Sequence, residues 1–348
     1  MTDASQLTSR FDSLRNRALE LNRDLLMEGI SGELNTAAEA AATLPEAIKA
    51  VRQKGYTFAA YLEQKSDHLR QLWERAQIEA RSALRSETMR LQMEVRQVEV
   101  FLQNAFSAAT NPPELASILP NLEREIIDAE TKLKAAHERV TALYVKVKQE
   151  IDQTREQVAD IDWYLEQRNE ASFPFQPEEK LFLAAKAEWS ATGKGRQDPD
   201  GILYLTDKRL IFEQKEKTGK TLGMFGGKQT QELKWEVPLS QLEKVEAENK
   251  GLFGGKDMLH FSLRPGAITN QLTVEVKGKA RCKFWAGQIE RMVKGETEDE
   301  RAIAVDAETL AAIREAPIPC HICGGTLPQL VLGQKSVKCD FCGAEITL

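Results

Sequence analysis

The chain has 348 residues, 29% of them charged and 42% hydrophobic, with a net charge of −6. That length allows two or more domains with their own cores, and the acidic balance excludes a global basic field for gathering nucleic acid or anionic membrane. No apolar run reaches the roughly 18–20 residues that span a bilayer, and the opening "MTDASQLTSR" lacks the apolar core of a secretion signal, so a cytoplasmic protein is expected.

From Ser5 to about Ala171, glycine and β-branched residues are scarce while Glu, Arg, Gln, Ala and Leu abound, a helical composition. Two shorter helices are expected at about Gln6–Met27 and Glu46–Gln53, with breaks at Gly29/Gly32, Pro45 and Gly55. They form a region, residues 1–55, expected to pack on the open end of a long helical hairpin. Its two helices, about Tyr56–Ala109 and Leu119–Glu170, face each other across Asn111-Pro112-Pro113. In the second, Leu122, Ile126, Ala129, Leu133, Ala136, Val140, Leu143 and Val147 alternate four and three apart, the coiled-coil spacing, with a stutter to Ile151. Leu91, Val95, Val98, Leu102 and Ala105 answer from the first. Matched lengths and a tight break predict an antiparallel coiled-coil hairpin over residues 56–171, a stalk suited to homo-oligomerisation. His68 and His137 read as surface residues.

At Ser172 the pattern changes. Short alternating runs predict strands near Leu181–Trp189, Gly201–Leu205, Arg209–Gln214, Glu232–Val237, Leu242–Glu248, Met258–Leu263 and Leu272–Lys277. A final helix, about Ala280–Lys294, carries Phe284, Trp285, Ile289 and Met292 on a stripe. Seven strands in up-and-down order with one helix predict a partly open barrel plugged by that helix.

The stretch "GILYLTDKRLIF" (Gly201–Phe212) resembles the signature of the GRAM and bacterial pleckstrin-homology-like families, and Trp285 sits where a pleckstrin-homology domain has a tryptophan in its closing helix. The resemblance covers residues 172–295. It implies a domain that binds membrane lipids or protein surfaces and is not an enzyme. The loop "SATGKGRQDPDG" departs from the basic pattern of phosphoinositide-binding members, because Asp198 and Asp200 accompany Lys194 and Arg196.

Two glycine-rich segments in this region repeat: "GMFGGK" at Gly223–Lys228 and "GLFGGK" at Gly251–Lys256. Glycine clusters mark surface turns. Met224, Phe225 and Lys228 in one, and Leu252, Phe253 and Lys256 in the other, suit a membrane wedge in which apolar tips enter the interface beside ammonium groups. Lys215, Lys217 and Lys220 lie just before the first. In a simple meander both tips fall at one end. The alternative is that the Phe side chains fold back onto the protein.

Residues 296–317 read as a linker with a short helix. Residues 318–348 contain Cys320-His-Ile-Cys323 and Cys339-Asp-Phe-Cys342, the spacing of a zinc ribbon. Four thiolates fill a tetrahedron, so one Zn2+ per chain would be structural and closed to catalysis. Sparse charge in this module argues against direct nucleic-acid binding. Cys282, apart from these four, reads as a small buried residue, with a reactive thiol as the alternative. Four histidines, no nucleophile motif and no complete phosphate loop point away from catalysis.

The expected fold class is therefore multidomain α + β: a long antiparallel helical hairpin, a seven-strand barrel and a small zinc ribbon. The expected function is a non-enzymatic cytoplasmic adaptor, peripheral at a membrane surface or on a membrane-associated protein, with the ribbon docking protein. The alternatives are a soluble protein–protein assembly factor without lipid binding and a nucleic-acid-associated factor using the ribbon. Metal analysis of the purified chain is expected to find about one zinc per chain, and a folded tail without metal would overturn the ribbon.

Overall fold

In the computed structural model the described residues are 4–193, 198–218, 228–250, 255–297, 300–302, 336–338, 343 and 345–347. Five helices come first: α1 (Ala4–Asp24), α2 (Glu28–Gln53), α3 (Tyr61–Ser107), α4 (Pro112–Ala142) and α5 (Val145–Glu170). The chain divides into two compact units, residues 1–44 with 66–153, and residues 45–65 with 154–348.

The first unit is built on heptads. Leu7, Phe11, Leu14, Ala18 and Leu21 of α1 share one core with Val98 and Ala105 of α3 and with Leu115, Leu119, Leu122, Ile126 and Ala129 of α4. Spacings of four and three keep each set on one stripe. Polar pairs report the directions. Arg10 bonds Glu123, and Arg17 donates through Nε (2.9 Å) and a terminal nitrogen (2.6 Å) to Glu130, both pairs 113 residues apart. A constant difference means that α1 and α4 run parallel. Lys132 reaches Glu94 at 2.8 Å and Arg139 reaches Glu87 at 2.9 Å, so α3 and α4 run antiparallel. The first helix thus lies along α4 and not across the end of a stalk, because its own heptad repeat lets it share the seam.

The helix breaks differ from expectation. Gly29 and Gly32 fall in the first turns of α2, and Pro45 lies inside it. The α1–α2 break is at Leu25–Met27, where Met27 adopts a left-handed φ of 44°. The helix expected over Leu119–Glu170 is two. α4 begins at Pro112 with prolines in its first turn, where a missing N–H costs nothing, which leaves Pro120 in its interior. It parts from α5 at Leu143–Tyr144, where i→i−3 bonds from Leu143 N to Val140 O (3.1 Å) and Tyr144 N to Thr141 O (3.2 Å) tighten the turn. Tyr144 is buried there, edge-on to Trp73 at 6.2 Å, with its hydroxyl donating to Glu33 at 2.9 Å. His137 is exposed as expected; His68 is half-buried, and burial, followed by the nearby Arg75, lowers its pKa.

The second unit contains strands β1 (Leu181–Trp189), β2 (Asp200–Thr206), β3 (Arg209–Thr218), β4 (Lys228–Pro238), β5 (Leu242–Lys250), β6 (Lys256–Leu263) and β7 (Gln271–Val276), then helix α6 (Cys282–Val293). They form one antiparallel sheet in the order β4-β3-β2-β1-β7-β6-β5, with β4 and β5 as its edges. The sheet is open, and with its closing helix it is pleckstrin-homology-like. α6 turns Cys282, Trp285, Ala286, Ile289 and Met292 inward. Phe284, expected on that stripe, is 52% exposed, because it stands 100° from Trp285 on the outer side. Cys282 is buried, and its N–H donates to Asp257 at 3.2 Å at the start of the helix. Burial, and then Asp257, push its thiol pKa up. Further along, β8 (Ser336–Lys338) pairs antiparallel with β9 (Glu345–Thr347).

The Thr206–Arg209 turn inside the signature stretch is a scaffold. Glu179 is 1% exposed and Arg209 6% exposed. Arg209 grips both oxygens of Glu179 at 2.9 Å each, and also bonds Glu236 and the Pro174 carbonyl. The Thr206 hydroxyl donates to Glu179 at 2.7 Å while accepting the Lys208 and Arg209 N–H groups, and the Gln176 N–H donates to Glu179 at 2.7 Å. Asp207 accepts from the Lys180 N–H (2.9 Å) and from Arg301 (2.7 Å), whose guanidinium lies 5.0 Å over the Phe58 ring. The motif thereby ties the β2–β3 turn to the strand entry before it and to the segment after α6.

Burial opposes ionisation of Glu179, but the Arg209 fork, the Gln176 N–H and the Thr206 hydroxyl outweigh it and hold the pKa below the ordinary 4.5. A depressed folded-state pKa contributes stability that is full above the unfolded value and lost as pH falls through the folded one. Glu179→Gln is therefore expected to unfold more easily at neutral pH and to show a flatter loss of stability below about pH 4.5 than the parent. Urea denaturation across pH 3–7 reads both, and parallel curves for the two proteins would contradict the assignment.

Candidate interaction site on the sheet unit

One face of β1–β3 is covered by the last turns of α5 and the segment just after it. Ala184, Ile202, Tyr204 and Ile211 alternate onto this face and pack with Phe173, Trp163 and Tyr164. Among these apolar contacts sits Glu213, which is fully buried. Its carboxyl group accepts from the Tyr204 hydroxyl (2.8 Å), the Ser172 N–H (2.6 Å) and Gln231 Nε2 (3.0 Å). The Gln231 amide also donates to the Glu170 carbonyl at 2.6 Å, and the Tyr204 hydroxyl lies 3.3 Å from the Gln167 carbonyl oxygen. Burial, and then Glu213, push the Tyr204 pKa upward, so it stays a donor. Glu213 thus staples the helix end, the connecting segment and three strands. Gly201 is required beside it: a Cβ there would overlap the Glu213 backbone carbonyl.

Next to the staple is a cleft of about 470 Å3, lined by Trp163, Gln167, Lys186, Asp200, Lys215 and Lys277 among others. Lys215 donates to Glu170 (2.6 Å) and Gln167 (3.1 Å), and Lys277 to Glu188 (2.6 Å) and Asp200 (2.5 Å). Lys186 is exposed and has no ion-pair partner among the described residues. The cleft therefore presents the Lys186 ammonium group in the same lining as the Trp163 indole ring.

Lys215, expected beside the first glycine-rich tip, is instead committed to α5 and only 17% exposed. Lys256 is held by Glu275 at 2.7 Å. Lys228 closes the β3–β4 ladder opposite Thr218, and Lys217 pairs there with Gln229. Lys220, Met224, Phe225, Leu252 and Phe253 lie outside the described residues, as do Cys320, Cys323, Cys339 and Cys342. Among the described residues no three His, Cys, Asp or Glu side chains are grouped to hold a metal.

Backbone pairing nevertheless separates the two tips. β2 pairs with β3 only as far as Gly201–Gln214, whereas β3 and β4 continue together through four further pairs to Thr218–Lys228. Four residues extend a two-stranded arm by about 13 Å beyond β2. β5 and β6 extend a single pair, Lys250–Lys256, beyond the last β6–β7 pair, Asp257–Val276. β1 and β7 are antiparallel, so β3 runs with β1 and β5 runs against it. The β3–β4 and β5–β6 connections therefore leave the sheet in opposite senses, which corrects the meander expectation of a shared end. Sequence reasoning missed the arm and the buried Glu179 and Glu213; the signal available for the arm was an alternating run, Gln214 to Thr218, without an apolar side.

Residues 33–162 match the family described as endoribonuclease YicC-like, C-terminal, a span of 130 of the 348 residues. No curated protein matches the chain. Among solved structures, the Vps36 N-terminal PH domain is similar at 15% identity and a TM-score of 0.25, covering 35% of this chain and 84% of that one. Vav1 inhibited by an allosteric inhibitor covers 97% and 96% at 14% identity and a TM-score of 0.26. The DH/PH fragment of PDZRhoGEF in complex with human RhoA covers 84% and 92% at 15% identity and a TM-score of 0.26. Likenesses this loose add nothing to the observed strand order.

Tyr204→Phe removes one donor from the buried Glu213 and is expected to cost about 1–3 kcal/mol, read as a lower urea midpoint at unchanged slope. A midpoint equal to the parent's would mean that Glu213 is not a staple.

Proposed function

We propose that the chain is a non-catalytic adaptor whose pleckstrin-homology-like unit, of the GRAM type, presents the β3–β4 arm to an anionic membrane surface. The projecting arm carries this reading, since by connectivity it bears Met224 and Phe225 with Lys220 and Lys228. Apolar residues flanked by ammonium groups favour the boundary between headgroups and acyl chains. The β5–β6 tip, with Leu252 and Phe253, has a lesser part in the proposal, because its sense is opposite and Lys256 already neutralises Glu275.

Two further parts complete the proposal. The heptad helices serve assembly. The C-terminal cysteines hold one structural Zn2+ ion in a ribbon that docks protein. In support, the antiparallel pairing Lys338–Glu345 brings together the ends of the segment containing Cys339 and Cys342, as a metal-binding knuckle needs. Also consistent with a non-catalytic role, the buried Glu179 and Glu213 are both committed to scaffold bonds. In the protein-only version of this reading, the cleft at Lys186 takes an acidic residue of the partner in place of lipid.

A second reading, RNA association through the helical region, is favoured by the family match over residues 33–162. One experiment separates them. Sedimentation with phosphatidylcholine vesicles, with and without phosphatidylserine, is expected to pellet the parent only with the anionic vesicles. Phe225→Ser should abolish pelleting, and Phe253→Ser should leave most of it. Equal recovery in the supernatant under every condition would reject membrane contact; a shift or cleavage of labelled single-stranded RNA at physiological salt would promote the second reading.

A further inference from the structure

α3 has two apolar faces. One is the buried stripe that includes Ala80, Leu91, Val95 and Val98. The other is uncovered: Ile78 is 71% exposed, Met89 67%, Met93 66% and Val100 58%. At 100° per residue these four fall within an arc of about 60°, roughly 170° around the helix from the buried stripe. Single exposed apolar residues need no explanation, but four on one line of a charged helix mark a surface made to be covered.

The spacing says by what. Ile78 and Val100 lie eleven residues before and after Met89. A two-fold contact must be self-complementary, residue i of one copy meeting j of the other and j meeting i. Two α3 helices laid antiparallel about Met89 place Ile78 on Val100 twice and Met89 on itself. Arg85 then lies opposite Met93, where its aliphatic stem packs, and Arg96 opposite Ser82, which leaves room for the guanidinium to reach water.

Charge agrees with this arrangement. Arg81 and Glu99 flank the stripe on the same side, eight residues before and ten after Met89. Each is bound by a neutral amide, Arg81 to Asn35 at 2.6 Å and Asn22 to Glu99 at 2.7 Å, and neither has an ion-pair partner among the described residues. The antiparallel pairing brings Arg81 of each copy beside Glu99 of the other. A parallel two-fold pairing instead carries the Arg81–Glu99 flanks of the two copies to opposite sides of the seam, where no such cross-pair forms.

We propose that the Ile78–Met89–Met93–Val100 face of α3 is an antiparallel homodimer interface centred on Met89. The proposal deepens the assembly role given to the helices and does not rest on membrane contact, which involves the sheet unit.

Light scattering on the full chain is expected to give twice 39.1 kDa for the parent and 39.1 kDa for Met89→Glu, with equal helical circular dichroism for the two. Orientation is read by oxidative cross-linking against the parent. Met89→Cys should link to itself, and Ile78→Cys should link to Val100→Cys in a mixture but not to itself. A parent that stays at 39.1 kDa at every concentration, a dimer that survives Met89→Glu, or self-linking of Ile78→Cys would each overturn the proposal.

Discussion

The buried Arg209–Glu179 pair is the constraint on which the sheet unit depends. Two charges removed from water are tolerable only if their remaining donors and acceptors are also satisfied, and here they are. Glu179 receives the fork of Arg209, a hydroxyl and a backbone N–H, while Arg209 also reaches Glu236 and a carbonyl. The pair fixes where the chain enters β1 relative to the β2–β3 turn. With Glu213, which binds the Ser172 N–H, it pins both ends of the segment joining α5 to the sheet. The Thr206–Arg209 turn is thus consumed in holding the domain together.

The result is a division of labour. The buried Glu179, Arg209 and Glu213 of the second unit are spent on scaffold, and the recognition proposed above is left to its periphery. In the first unit, heptads set the core and ion pairs set the register. Surface pairs such as Arg17–Glu130 contribute about 0–1 kcal/mol each, so direction, more than stability, is what they report.

Much of this was legible in the sequence where burial leaves a period. The seven strands were readable because alternation follows from one wet and one dry face, and the expected Leu181–Trp189 is β1 itself. The seams of α3 and α4 were readable for the same reason as far as Val140, but Leu143, expected on the seam, is 40% exposed because the helix breaks there. The arm was not: the run Lys215 to Thr218 carries no apolar alternation. Glu179 and Glu213 were not either, since a glutamate beside lysines and glutamines reads as surface until the fold supplies its donors. Order across the sheet was lost because β1–β7 pairing joins strands far apart in sequence, and it reverses the sense of the β5–β6 tip. Glycines misled at Gly29 and Gly32, where a helix start tolerates them, while the true break sits at Met27.

A double-mutant cycle on Glu179→Gln and Arg209→Met, read by urea denaturation, addresses the central interaction most directly. Arg209→Met alone leaves a buried acid without its cation and should cost about 3–5 kcal/mol. The double variant should be more stable than the sum of the single losses implies, by a coupling of about 1–3 kcal/mol. Single losses that simply add, with no coupling between the two positions, would contradict the account.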